Sequence, residues 1–174
     1  MKSRMNIRKC QPGETNEILD VINDSAKAYR GVVPPDCLKD PYMPREELET
    51  DIAAGVAFWG WEEAGKLLGV MGLQHVRDVS LMRHAYVRTE ARGKGIGRAL
   101  IERLKSETDR PALVGTWAAA VWAVRFYERN GFHLLPREEG WSLLRRYWSI
   151  PARQTETSVV LADAKWLAAA KGEK

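Results

Sequence analysis

The stretch Val87–Leu104, VRTEARGKGIGRALIERL, constrains the fold of this chain more than any other. Gly93, Gly95 and Gly97 alternate with Lys94 and Ile96 behind Arg92, and an amphipathic run follows at once. With SLMRHAYV read as a strand before it, the segment is strand, glycine turn, helix. Such a turn aims unpaired backbone N–H groups and the positive end of a helix dipole at one point. Glycine also lets a ligand approach the backbone where a Cβ would hold it off. The physical reading is an anion site, above all for phosphates, with Arg92, Lys94 and Arg98 beside it.

Known phosphate patterns narrow the choice. The P-loop spacing G-x-x-x-x-G-K-[ST] is absent. The dinucleotide fingerprint G-x-G-x-x-G fails too, because its third glycine falls on Arg98 or Leu100. The spacing that fits is R-x-x-G-x-G, carried by Arg92, Gly95 and Gly97. In this the segment resembles motif A of the GNAT superfamily of N-acetyltransferases. A second block, AVRFYERNGFHLL from Ala123 to Leu135, resembles that family's motif B, A-x-x-F-Y-x-x-x-G-F, in the expected order. The resemblance runs from Ile7 to about Leu135.

The resemblance implies an α/β fold of the α+β type. Its central sheet is mixed and mostly antiparallel, with helices on both faces, and an acetyl-CoA slot splits it near the middle. Acetyl-CoA is the implied cosubstrate, with no metal. Arg92, Gly93, Lys94, Gly95, Ile96, Gly97 and Arg98 would hold its pyrophosphate. Backbone N–H groups over Ala85, Tyr86 and Val87 would polarise the thioester carbonyl, on a strand that a β-bulge splays from its neighbour. Tyr127 matches the family's general acid. One departure stands out: many members carry Asn ahead of the motif B tyrosine where this chain has Ala120.

A general base must be sought among the residues themselves. His84 lies on the strand that feeds the slot, and an unperturbed imidazole titrates near pH 6.5. His75, Asp78 and Glu90 are the alternatives. Strict alternation sets His84 on the face opposite Ala85, a count that a bulge would upset. Tyr29, Arg30 and Tyr42, in the proline-braced stretch between the first two helices, are candidates for the acceptor wall, and Trp117 ends a strand beside the slot. Trp59, Trp61, Trp117 and Trp122 are otherwise expected in the core. WSLLRRYW is expected either to cover the pocket or to form a homodimer seam.

Length and composition bound the rest. The 174 residues suit one domain, with a C-terminal extension from about residue 136. No apolar run approaches the roughly 20 residues of a membrane span. MKSRMNIRKC lacks the apolar core of a secretory signal, and Met5 offers a second start to Met1. Cys10 and Cys37 show no metal or redox spacing, so free thiols in a reducing cytoplasm are expected. A formal charge of +4 suits an anionic ligand, and without a recognition-helix pattern nucleic acid is not expected.

The remaining elements follow from periodicity and breakers. MNIRKC is a first strand, and helices are expected in GETNEILDVINDSAKAYRG and PYMPREELETDIAAG. A hairpin joins VAFWGWEE to KLLGVMGLQHV, and ALVGTW and FHLLP are later strands. EEGWSLLRRYW reads as a helix, ETSVVLA as a last strand and DAKWLAAAK as a last helix. The expected function is acetyl transfer from acetyl-CoA to a primary amine of a small molecule or peptide. The alternative is a non-catalytic acyl-CoA-binding or sensing module of the same fold.

Overall fold

The computed structural model describes residues 5–172; the choice between Met1 and Met5 as start turns on residues outside that range. Seven strands form one sheet in the order β1-β2-β3-β4-β5-β7-β6. They are β1 (Met5–Lys9), β2 (Ala57–Glu63), β3 (Lys66–Val76), β4 (Val79–Val87), β5 (Ala112–Trp117), β6 (His133–Leu134) and β7 (Ser158–Ala162). Every neighbouring pair is antiparallel except β4 and β5. The sheet is therefore mixed and mostly antiparallel, as the sequence implied.

Helices cover both faces. On one lie α3 (Ile96–Ser106) and α4 (Val121–Arg129), whose apolar positions join Met71, Met82 and Val114 in one cluster. Ile96, Leu100, Ile101 and Leu104 recur at helical spacing on α3 and are all sealed from solvent. Burying each such side chain stabilises the fold by roughly 1.5–3 kcal/mol before entropy is counted. The other face carries α1 (Thr15–Ser25) and α2 (Arg45–Ala53), packed around Phe58, Val70 and Tyr86. Farther along that face, α5 (Arg137–Tyr147) buries Leu143, Leu144 and Tyr147 against Leu81, Leu113 and Val160. α6 (Ala152–Glu156) and α7 (Ala164–Gly172) complete the order.

The segment from about residue 136 is built into this sheet. β7 pairs with β5 over five positions and seats β6 on its far side. The helix read in EEGWSLLRRYW is α5, and its end, with Trp148, closes part of a pocket described below.

The sheet is opened at one place. β4 and β5 pair only over Ser80–Met82 and Ala112–Val114. Beyond that they part, although β4 continues to Val87 and β5 to Trp117. The cause is visible on β4's other side. Val70 faces Tyr86 and Gly72 faces Arg83, so His84 and Ala85 together stand opposite Met71. That is a β-bulge of one residue, which bends a strand and ends its pairing. His84 carries φ +55°, a left-handed conformation uncommon for a residue other than glycine.

Candidate active site

The parted strands open a cleft of about 1110 Å3. Ala85, Tyr86 and Val87 line its floor. Arg88 N–H bonds to the Leu68 carbonyl at 2.8 Å, so alternation turns the peptide groups of Ala85 and Val87 away from β3, into the gap. The glycine turn and the start of α3 form one wall, and Ala123, Phe126 and Tyr127 of α4 form the opposite one.

Local chemistry explains the turn. Gly93 and Gly95 adopt φ +77° and +78°, where a side chain is strained, and Gly95 caps α3 in that conformation. Beyond their chain neighbours, no atom lies within 4 Å of where their Cβ atoms would be, and both glycines line the cleft, so this side of the turn is open. Gly97 has another role: a Cβ there would meet the Phe126 ring at 3.2 Å, so its absence lets α4 close against α3. The first bond of α3 runs from Ala99 N–H to the Gly95 carbonyl at 3.1 Å. The N–H groups of Ile96, Gly97 and Arg98 therefore precede the helical ladder, free to meet an anion.

The three bases of this segment do different work. Arg92 and Arg98 line the cleft, joined by Arg129 from α4. Lys94 is exposed on the crest of the turn. Arg92 reaches across to bond the Ser25 carbonyl at 2.9 Å, tying the end of α1 to the turn. These features fit a pyrophosphate: open space over the glycines, helix-start N–H groups and cleft-facing cations.

Tyr127 lines the cleft with 7% of its surface exposed. Burial raises its phenol well above the ordinary value, so it stays protonated through the physiological range. Ala120 is sealed from solvent just before α4 and brings no side-chain polar group to the cleft. Trp122 corrects an expectation: it is 44% exposed at the cleft, stacked on Tyr29 with ring centroids 6.1 Å apart. Trp59 and Trp61 are half-buried against the α3-side core, as expected.

A second pocket, of about 620 Å3, opens between α2, the bulged part of β4 and the end of β5. Tyr29 and Tyr86 line both cavities, so the two meet at these rings. Tyr42 and Trp117 belong to the second. The Tyr42 hydroxyl accepts hydrogen bonds from Trp117 Nε1 at 2.9 Å and from the Tyr86 hydroxyl at 3.2 Å. Arg30 is exposed and lines neither cavity.

His84 faces the second pocket, with its Nε2 2.8 Å from Asp51 Oδ2 and its ring stacked on Phe58. Burial pushes its pKa below the ordinary imidazole value, and the Asp51 carboxylate only partly offsets this. The ring is therefore neutral near pH 7. Asp51 is itself half-buried, which works to raise its carboxyl, yet the bond from His84 and the charge of Arg83 hold it below the ordinary range.

The alternatives to His84 lie elsewhere. His75 bonds Ser80 at the β3–β4 hairpin. Asp78 accepts the Tyr147 hydroxyl at 2.8 Å beside α5, and Glu90 pairs with Lys66 on the surface. None of the three lines either cavity. The sequence reading missed Asp51, which meets His84 only through the fold, His84's chain neighbour Arg83, and Arg129 of motif B.

Comparison with known proteins agrees with this geometry. Residues 22–140 match the family model described as an acetyltransferase (GNAT) domain. The chain belongs to the GNAT acetyltransferase family. It is 27% identical over 138 residues to the peptidyl-lysine N-acetyltransferase YiaC of Escherichia coli strain K12, covering 74% of this chain and 84% of that protein. A GNAT-family acetyltransferase from Staphylococcus aureus Mu50 superposes with a TM-score of 0.68 at 19% identity, over 92% of this chain and 98% of that one. The PaiA N-acetyltransferase of Thermoplasma acidophilum, solved with coenzyme A, superposes equally well at 16% identity and the same coverage. Among the described residues, no cluster of His, Cys, Asp and Glu forms a metal site and no helix is long and apolar enough to cross a membrane.

Proposed function

We propose that this chain transfers an acetyl group from acetyl-CoA to a primary amine, using residues 1–174 as one acetyltransferase domain. The observation that carries the reading is the bulge at His84–Ala85, which parts β4 from β5 beside a phosphate-fitting cleft and sets His84 in a neighbouring pocket that shares Tyr29 and Tyr86 with it. The coenzyme A bound by PaiA and the activity named for YiaC support the same reading.

Acetyl-CoA, when bound, supplies an activated thioester carbonyl. The chain's own residues do the remainder. Gly93 to Arg98 hold the pyrophosphate through backbone N–H groups and the Arg98 cation. Ala85 and Val87 present fixed peptide dipoles to the reacting carbonyl, which need not reorient as negative charge develops there. Tyr127 holds a proton on its hydroxyl for the departing thiolate. His84 accepts the proton that the amine must lose. Tyr29, Tyr42 and Trp117 shape the wall past which the amine approaches, and the acceptor is a small molecule or a peptide amine such as a lysine side chain.

An acceptor panel tests this. Purified chain, acetyl-CoA and single amines, including a lysine peptide, are incubated while free thiol is followed. Amine-dependent coenzyme A release is expected. Tight acetyl-CoA binding with no release across the panel would instead make the chain an acyl-CoA-binding or sensing module.

A further inference from the structure

We propose that Asp51 is a positioning residue: it fixes the tautomer of His84 and compensates the imidazolium that forms when His84 Nδ1 takes a proton from the acceptor amine. This rests on the acetyl-transfer reading above and adds to it a residue from α2, outside both motifs.

Geometry carries the argument. Asp51 Oδ2 lies 2.8 Å from His84 Nε2, so an ionised carboxylate accepts the Nε2–H and leaves Nδ1 as the basic nitrogen. Among the described residues, no hydrogen bond engages Nδ1. The carboxylate is itself held: Arg83 Nη1 stands 3.4 Å from its other oxygen and donates to Gln74 Oε1 at 3.0 Å. Gln74 Nε2 in turn bonds the Ala54 carbonyl just past α2 at 3.0 Å. The bulge that parts the strands also turns His84 toward α2, in a backbone conformation that costs a non-glycine residue about 1 kcal/mol or more. Such strain persists only where surrounding contacts fix it.

The groups around the ring define its titration. α2 presents Asp51 and Glu47, β4 presents Arg83, and β2 presents the uncharged Phe58 ring. Burial and Arg83 disfavour the charged ring, and the two carboxylates favour it. In the step proposed, the ammonium N–H bond breaks, an Nδ1–H bond forms and the amine keeps its electron pair. The proton leaves a free neutral amine beside an imidazolium whose charge Asp51 balances, a division of labour also found in catalytic triads.

Asp51→Asn removes the charge and keeps the size, so it is the test variant, with His84→Gln beside it. Two readouts are used on the full chain. Nitrogen-15 NMR of the imidazole is expected to show the Nε2–H tautomer in the wild type. In Asp51→Asn a lower His84 pKa and mixed tautomers are expected. The pH profile of kcat is measured with an amine that the panel identifies. Asp51→Asn is expected to lower the plateau about ten- to a hundredfold and to move the acidic limb to lower pH; His84→Gln should remove that limb. A plateau and limb unchanged in Asp51→Asn would overturn the proposal, as would a fallen plateau with His84 titrating as in the wild type. A wild type that releases no coenzyme A with any amine defeats the acetyl-transfer reading itself, a failure distinct from an active wild type indifferent to Asp51.

Discussion

Arg92 Nη2 donates to the Ser25 carbonyl at 2.9 Å, so the arginine of the R-x-x-G-x-G motif fastens the end of α1 to the glycine turn at the rim of the cleft. Both Arg92 and Arg98 line the cavity, but among the described residues the Arg92 guanidinium is bonded to protein and that of Arg98 is not. The two cations therefore separate by salt dependence. Exposed charge pairs weaken as ionic strength rises, because the screening length falls to about 8 Å at 0.15 M. Arg98→Met is expected to weaken acetyl-CoA binding and to flatten its salt dependence. Arg92→Met is expected to lower the melting temperature and leave the salt slope as in the wild type. Calorimetric titration at three ionic strengths checks both.

Gly95→Val tests the turn. The left-handed backbone of Gly95 costs a side chain roughly 1–2 kcal/mol, and a branched one more. No protein atom stands near the added Cβ, so the fold has room for it, but the ligand's approach does not. A folded variant with acetyl-CoA affinity down at least tenfold is expected. Gly97→Val should fail differently: its branch presses on the Phe126 ring, and loss of stability is expected to exceed loss of affinity. Thermal melts beside binding isotherms distinguish the two.

How much of this was legible depended on sequence distance. The glycine turn could be read because its chemistry is local: dihedrals, helix start and cations all lie within Arg92–Arg98. The bulge was implied by the family resemblance. Its position at His84–Ala85 was not, because register is settled by β3 across the sheet. Asp51 meets His84 across 33 positions of sequence, and nothing in PYMPREELETDIAAG marks that carboxylate from its acidic neighbours. Trp122 sits on a motif B helix where apolar character suggested core. Ala120 occupies the buried turn at that helix start, which leaves the indole at the cleft beside Tyr29. Alternation also gave no warning that β7 would insert between β5 and β6, since strand order is a property of the whole sheet.

Tyr127→Phe keeps the ring and removes the proton. If the phenol protonates the leaving thiolate, kcat is expected to fall about a hundredfold while acetyl-CoA affinity stays within twofold. The pH dependence carries a sign of its own. Burial holds the Tyr127 pKa above the ordinary phenol value near 10, so the acid form persists at every pH the fold tolerates below that value. No basic limb from this group is expected below about pH 10 in the wild-type profile. Stopped-flow release of coenzyme A across pH, wild type against Tyr127→Phe, measures both.

Through its hydroxyl, Tyr42 ties together two other aromatic residues in the wall of the second pocket. Its hydroxyl accepts from two donors, Trp117 Nε1 and the Tyr86 hydroxyl. Tyr29 packs against it with ring centroids 5.2 Å apart. Tyr42→Phe leaves both donors without their acceptor in a wall that is largely buried, and each unsatisfied group costs about 1–3 kcal/mol. Tyr86→Phe removes one donor and leaves Tyr42 still bonded to Trp117, so it should cost less. The expected order of stability is wild type, then Tyr86→Phe, then Tyr42→Phe, read from urea midpoints at constant slope. The same order should appear in the KM for the acceptor amine, because these rings form the wall it passes, while the KM for acetyl-CoA changes little. If Tyr86→Phe proved the more damaging to stability, Tyr42 would not be the shared acceptor of this network. A double mutant completes the cycle: if the Tyr86 donor acts through Tyr42, the combined loss is expected to fall short of the sum by about the worth of that one bond, 0.5–1.5 kcal/mol.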